Sequence, residues 1–179
     1  MTAVLANRSN EKRRELDFYP TPANVTDALL RFLKLPVGVV WEPACGDGAM
    51  SKVIEQHGLL VISTDLREAG YGEGGVDFLM SAPRECDAII TNPPFALSAD
   101  FVERAVTIAP VVALLFKSQF WHSKKRQPIF ERNPPAWVLP LTWRPDFMFG
   151  ERGGAPTMDC LWTVWKRGET DTRYRLLSK

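Results

Sequence analysis

The chain has 179 residues, 45% of them hydrophobic, and a formal net charge of +1. That length and apolar content suit one ordinary globular domain, and the near-neutral charge argues against a strongly electrostatic nucleic-acid binder. No run approaches the roughly 18 apolar residues of a membrane span, and the opening MTAVLANRSNEKRREL is charged where a secretory leader would be apolar, so a cytoplasmic protein without membrane contact is expected. Cys45, Cys86 and Cys160 are odd in number and widely spaced, which supports neither disulfides nor a metal site.

Residues 1–16 read as a flexible basic segment, with Arg8, Lys12, Arg13 and Arg14, and residues 17–168 as a single domain. The first helical pattern is Asn24 to Leu35, with Val25, Leu29, Phe32 and Leu33 on one face and Pro36 closing it. A buried strand follows at Val37 to Trp41, then a helix from Ala49 to His57, then strands at Leu59 to Thr64 and Asp87 to Thr91, the latter read as the fourth of the sheet. Ser98 to Ile108 is helical and Val111 to Phe116 is again a strand. Continuous apolar strands alternating with helices imply a mostly parallel sheet covered on both faces. A basic helix, Lys124 to Glu131, then leads to two runs, Ala136 to Leu141 and Cys160 to Trp165, that form a closing antiparallel hairpin. The long Gly- and Pro-containing stretch 142–159 between them reads as a substrate-recognition loop. The charged tail, 169–179, is expected to fray.

Glu42-Pro43-Ala44-Cys45-Gly46-Asp47-Gly48 sits between the first strand and the second helix, where glycines let the backbone turn sharply and approach a ligand. Asp65 follows the next strand about twenty residues on, the separation at which a carboxylate reaches the ribose hydroxyls of a bound nucleoside. A dinucleotide fingerprint is broken by Ser51, and no phosphate loop is present. An adenosine-containing cofactor is therefore expected, with Glu42, Ala44, Gly46, Gly48 and Asp65 around it.

Asn92-Pro93-Pro94-Phe95 leaves the carboxyl end of the Asp87 to Thr91 strand, the edge at which ligands sit in open α/β sheets. Successive prolines remove amide donors and leave carbonyl acceptors. An exocyclic amine on a purine is a poor nucleophile because its lone pair is delocalised. Acceptance of its two N–H bonds by the Asn92 side chain and the Pro93 carbonyl would hold the nitrogen and expose that lone pair. Phe95 offers a stacking face worth roughly 1 to 3 kcal/mol. Asn92, Pro93, Pro94 and Phe95 are the candidate catalytic residues, and His57 and His122 are read as structural.

With these segments together, the chain resembles the amino-group DNA methyltransferases, especially the small phage-type N6-adenine methyltransferases. Asp17-Phe18-Tyr19-Pro20-Thr21-Pro22 is similar to the family's amino-terminal cofactor segment, Glu42 to Gly48 with Asp65 to its cofactor loop and ribose acid, Asp77-Phe78 to its adenine-binding pair, and Asn92 to Phe95 to its catalytic motif. Their order is that of the gamma arrangement, and the similarity runs from Asp17 to Arg167. It implies a Rossmann-like class I methyltransferase fold with a seven-stranded, mostly parallel sheet and a C-terminal antiparallel hairpin. It also implies S-adenosyl-L-methionine as cofactor, held by Tyr19, Pro20, Thr21, Asp77, Phe78 and Asn92 as well as the loop residues, and methylation of adenine N6 in DNA. The same catalytic motif serves enzymes acting on RNA amino groups and on protein glutamine, and a silent cofactor-binding partner in a complex is the remaining alternative. Cytosine C5 chemistry is set aside, since no cysteine follows a proline. Trp121, Lys124, Lys125, Arg126, Trp143 and Arg144 are the candidate nucleic-acid contacts; oligomeric state is not legible.

Overall fold

The computed structural model describes residues 20–36, 38–68, 70–148 and 155–179. The expected basic segment, residues 1–16, lies outside the described residues, as does Tyr19.

Helix α1 spans Ala23–Leu33 and buries Val25, Ala28, Leu29 and Leu30; it stops at Lys34, whose backbone turns left-handed two residues before Pro36. Strand β1 (Val39–Glu42) leads into α2 (Ala49–Gln56), and β2 (Leu60–Ser63) pairs parallel with β1. Strand β3 (Ala88–Thr91) is buried throughout; α3 (Ser98–Ile108) then crosses back to β4 (Val111–Lys117). A short 3-10 turn, Lys124–Arg126, precedes α4 (Gln127–Arg132), so the basic residues expected in that helix stand just before it. Strands β5 (Trp137–Pro140), β6 (Cys160–Lys166) and β7 (Arg173–Tyr174) complete a seven-stranded sheet of order β2-β1-β3-β4-β6-β5-β7.

Strands β2, β1, β3 and β4 pair parallel, β6 is antiparallel to β4 and β5 antiparallel to β6, and β7 is parallel to β5. Among the described strands β6 alone therefore runs against the others, which is the mostly parallel sheet with an antiparallel hairpin expected from the sequence. Successive residues of β4 alternate between two apolar layers: Ala113 and Leu115 face α1 and α2, while Val112, Leu114 and Phe116 face α3. That double burial explains why the strands read as unbroken hydrophobic runs.

Two expectations need correction. The strand carrying the Asn-Pro-Pro-Phe segment is the third of the described strands, not the fourth, because the chain after β2 makes only an isolated bridge, Thr64 with Glu73. The tail does not fray: Arg173, Arg175 and Leu177 donate backbone hydrogen bonds to Ala136, Val138 and Pro140, and the Leu177 side chain is buried. Burying one leucine and pairing the outer edge of β5 offset the cost of ordering a charged segment.

Candidate active site

Because β1 to β5 all enter the sheet parallel, their carboxyl ends share one edge. Glu42 and Ser63 stand there with Thr91, Lys117 and Pro140, so the glycine loop, Asp65, the Asn92 segment and the start of the 142–159 stretch converge on that edge.

The glycine loop is fastened to the end of β2. Cys45 N donates to the Thr64 carbonyl (3.0 Å), and Gly46 N donates to Asp65 Oδ2 (2.8 Å). The indole of Trp41 donates to Thr64 Oγ1 (3.0 Å). Gly46 and Gly48 have φ of 56° and 78°, the left-handed region that a side chain resists. At Gly48 a Cβ would also run into the Tyr71 ring, which packs on the loop. Asp65 is buried; its second oxygen accepts from Arg67 N (2.8 Å) and Arg67 Nε (3.2 Å). A carboxylate has about four acceptor positions and these bonds take three.

Glu42 is buried at 2% exposure, and Ser51 Oγ donates to its Oε2, with Ser63 Oγ 2.7 Å from that hydroxyl. Burial, opposed by the Ser51 hydrogen bond and helped by Asp65 and Asp47, pushes the Glu42 carboxyl up to about 8. The sequence marks neither Ser51 nor Ser63 as a site residue. Nine and twelve residues separate Ser51 from these partners, and no local pattern marks such a chain.

Downstream, Asp65 and Asp77 are brought close through Val76, whose N–H donates to the Asp65 carbonyl (3.0 Å). Asp77 is half-buried, and its Oδ1 accepts from Leu79 N (2.9 Å). Phe78 does not present a free ring at the edge. It is 2% exposed, set between Trp41 (ring centroids 5.1 Å apart) and Phe101 (4.7 Å), and belongs to the core layer under α3. Arg104 holds this stretch by donating to the Phe78 and Ser81 carbonyls (3.3 and 2.6 Å).

The amino-terminal segment and the Asn92 motif meet directly. Asn92 Nδ2 donates to Thr21 Oγ1 (3.1 Å), and Thr21 is buried beside half-buried Pro20. This fixes the amide with one of its two N–H donors engaged by Thr21. The Pro94 carbonyl accepts from Leu97 N (2.9 Å) and Ser98 Oγ (3.3 Å). Among the described residues Asn92 Oδ1 and the Pro93 carbonyl accept no hydrogen bond. Phe95 is half-buried, and Lys117 Nζ lies 3.6 Å from its ring centroid.

The expected nucleic-acid contacts divide. Lys124 and Lys125 are exposed and in no ion pair among the described residues. Arg126 is used inside the protein, donating to the Phe120 carbonyl (2.8 Å) with its guanidinium 4.5 Å from the Phe120 ring. Trp121 is stacked on Phe130 at 4.1 Å, so that face is not open to a base. Trp143 packs against the core under α1. Arg144 pairs with Asp159 (2.8 Å), joining the two ends of the 142–159 stretch, of which residues 149–154 lie outside the described residues. His57 closes α2 with Nε2 2.9 Å from Asp27 Oδ1. Burial holds the Cys45 and Cys160 thiols up at about 12 and Cys86 at about 11, the opposite of an activated thiolate.

No family model and no curated protein matches the sequence. Solved structures do match. A candidate RNA methyltransferase of Pyrococcus horikoshii superposes with a TM-score of 0.65 at 16% identity, over 83% of this chain and 85% of that one. The methyltransferase subunit of a type I restriction-modification system from Streptococcus thermophilus gives 0.69 at 11% identity, over 88% of this chain and 47% of its own. The magnesium protoporphyrin IX methyltransferase of Synechocystis PCC 6803, solved with bound S-adenosylmethionine, gives 0.54 at 16%, over 93% and 85%. The fold is that of the class I methyltransferases. This chain spans about half of the restriction subunit, and at these identities the comparison establishes the class I fold alone. No helix among the described residues is long and apolar enough to cross a membrane.

Proposed function

We propose that the protein is an S-adenosylmethionine-dependent methyltransferase acting on the N6 amino group of adenine in DNA. The observation that carries this reading is the pair of unengaged acceptors, Asn92 Oδ1 and the Pro93 carbonyl, next to an aromatic ring at the carboxyl edge. Two adjacent acceptors suit a group with two N–H donors on one nitrogen, and an amine on an aromatic ring is such a group.

The donor set also fits the cofactor. Two left-handed glycines expose bare backbone, Asp65 keeps an acceptor position for a ribose hydroxyl, Asp77 stands one residue past Val76, whose N–H donates to the Asp65 carbonyl, and Pro20, Thr21 and Asn92 close the other side. Tyr19 joins this proposed set on the family resemblance, and Phe78 supports it from beneath. When bound, the cofactor supplies an electrophilic methyl carbon on a sulfonium. Thr21 keeps the Asn92 amide oriented with Oδ1 toward the incoming amine. Asn92 and Pro93 then stabilise positive charge developing on that nitrogen in the transition state. Phe95 stacks the base, which must leave the duplex to reach the motif. Lys124 and Lys125 are proposed to hold phosphates, which position a strand without reading it.

The restriction-subunit neighbour supports DNA, and the Pyrococcus neighbour, matched over most of its length, keeps RNA as the second reading. Labelled methyl transfer to unmethylated DNA and to RNA in parallel, followed by nucleoside analysis, separates them. Label recovered as N6-methyladenine in DNA is the expected result; label only in RNA would transfer the same chemistry to the other substrate and overturn the DNA assignment.

A further inference from the structure

Strand β4 outlasts β3. Thr91, the last residue of β3, pairs with Leu114, and β4 continues to Lys117 alongside the chain that has become Asn92 to Phe95. At that point the Lys117 backbone is pinned on its other side by pairing with Cys160 of β6, and Ser118 N donates to the Asp159 carbonyl (2.9 Å). The half-buried side chain places Nζ 3.6 Å from the Phe95 ring centroid, with no carboxylate paired to it among the described residues.

An aromatic ring has two faces, and a stacked base uses one. A cation within about 6 Å of the centroid is held by the ring quadrupole, and an ammonium lying on one face excludes a purine from it. The Phe95 backbone is fixed by the turn that Leu97 N closes on the Pro94 carbonyl, but a turn does not choose between the faces of the side chain. We infer that Lys117 is a positioning residue for the base: by occupying one face of Phe95 it directs the substrate to the other and holds the ring still. The inference rests on Phe95 being the stacking platform of the proposed function.

The rival role for a lysine here is a direct phosphate contact, and a double-mutant cycle divides the two. Lys117→Met keeps the stem and removes the charge, Lys117→Arg restores a cation able to lie on a ring, and Phe95→Leu removes the ring. The probe is a single-stranded oligodeoxynucleotide carrying one 2-aminopurine, whose emission reports stacking, with kcat and KM for methyl transfer to unmethylated DNA measured beside it. The expected result is that Lys117→Met weakens oligonucleotide binding and raises KM about two- to five-fold, the size of an exposed cation–π contact, while kcat stays within about two-fold. Lys117→Arg is expected to recover most of the loss, and Lys117→Met to have no further effect in the Phe95→Leu background. A Lys117→Met defect that persists without the Phe95 ring, or that lowers the salt slope of binding by about one unit, would make Lys117 a phosphate ligand and overturn the inference. Oligonucleotide binding without any methyl transfer to DNA would sink the proposed reaction and leave the binding cycle to decide Lys117. Absence of any emission change in the unaltered protein would sink the stacking platform and this inference together.

Discussion

The two sides of the carboxyl edge are built by different means. On the β1–β2 side the polar groups are buried and already paired, Asp65 with Gly46 and Arg67, and Glu42 with Ser51. On the β4–β6 side several charges stand in solvent: Lys124 and Lys125 are exposed, and Arg144 and Asp159 are 57% and 58% exposed across their ion pair. Leaving a buried polar group unpaired costs about 1–3 kcal/mol, whereas an exposed pair contributes about 0–1 kcal/mol. The first side is therefore stiff and resistant to substitution, as suits a ligand that never changes. The second can be rewritten with little effect on folding, as suits contacts to a variable partner.

The Asn92 segment lies between the two sides, and the largest effect is expected there. Asn92→Ala should lower kcat at least about 100-fold, as loss of one transition-state hydrogen-bonding group does elsewhere, with a much smaller loss of cofactor affinity by calorimetry. Undiminished turnover would remove the acceptor role. Gly48→Ala probes the stiff side: left-handed strain plus collision with Tyr71 should cost about 1–3 kcal/mol in denaturant unfolding, with weakened cofactor binding. A variant as stable as the parent would mean the loop is softer than its bonding implies.

Glu42→Gln sharpens the same contrast through pH. With a folded value of about 8 against an ordinary 4.5, the native state holds a proton that the unfolded chain releases. Glu42 therefore contributes most stability below about pH 4.5 and loses that contribution as pH rises towards 8, with a slope of at most about 1.4 kcal/mol per pH unit. Glu42→Gln, neutral throughout, should unfold without that slope; an identical pH profile would place the proton elsewhere. The smallest expected effect on folding belongs to the exposed side. Lys124→Ala with Lys125→Ala should leave thermal unfolding unchanged, weaken duplex DNA binding uniformly across sequences, and lower the salt slope by about two units. A large loss of stability would contradict the division drawn here.

How much of this was legible follows the same line. Helix α3 is found where its periodicity predicts, because Phe101, Val102 and Ala105 bury one face and Pro110 stops the run. The glycine loop, Asp65 and the Asn92 motif were legible because their spacing reflects strand ends, and parallel strands bring those ends together. What escaped depends on tertiary neighbours. Nothing local tells that Phe78 turns inward to Trp41 and Phe101, or that Trp121 lies on Phe130. The tail reads as a fraying segment because it is charged, while the single buried Leu177 and a row of backbone bonds hold it on the sheet.

The strand order also carries a consequence for synthesis. β6 lies between β4 and β5, so Val111 meets Lys166 across the sheet, and among the described strands β6 is what joins β5 to β4. Strands β1 to β4 have their parallel neighbours as soon as residue 117 has left the ribosome, but β5 is made before the strand that anchors it. Until residues 160–166 emerge, Trp137 and Leu139 belong to a segment with no sheet to join. The pairing of β5 therefore waits on closure of the long connection between β4 and β6.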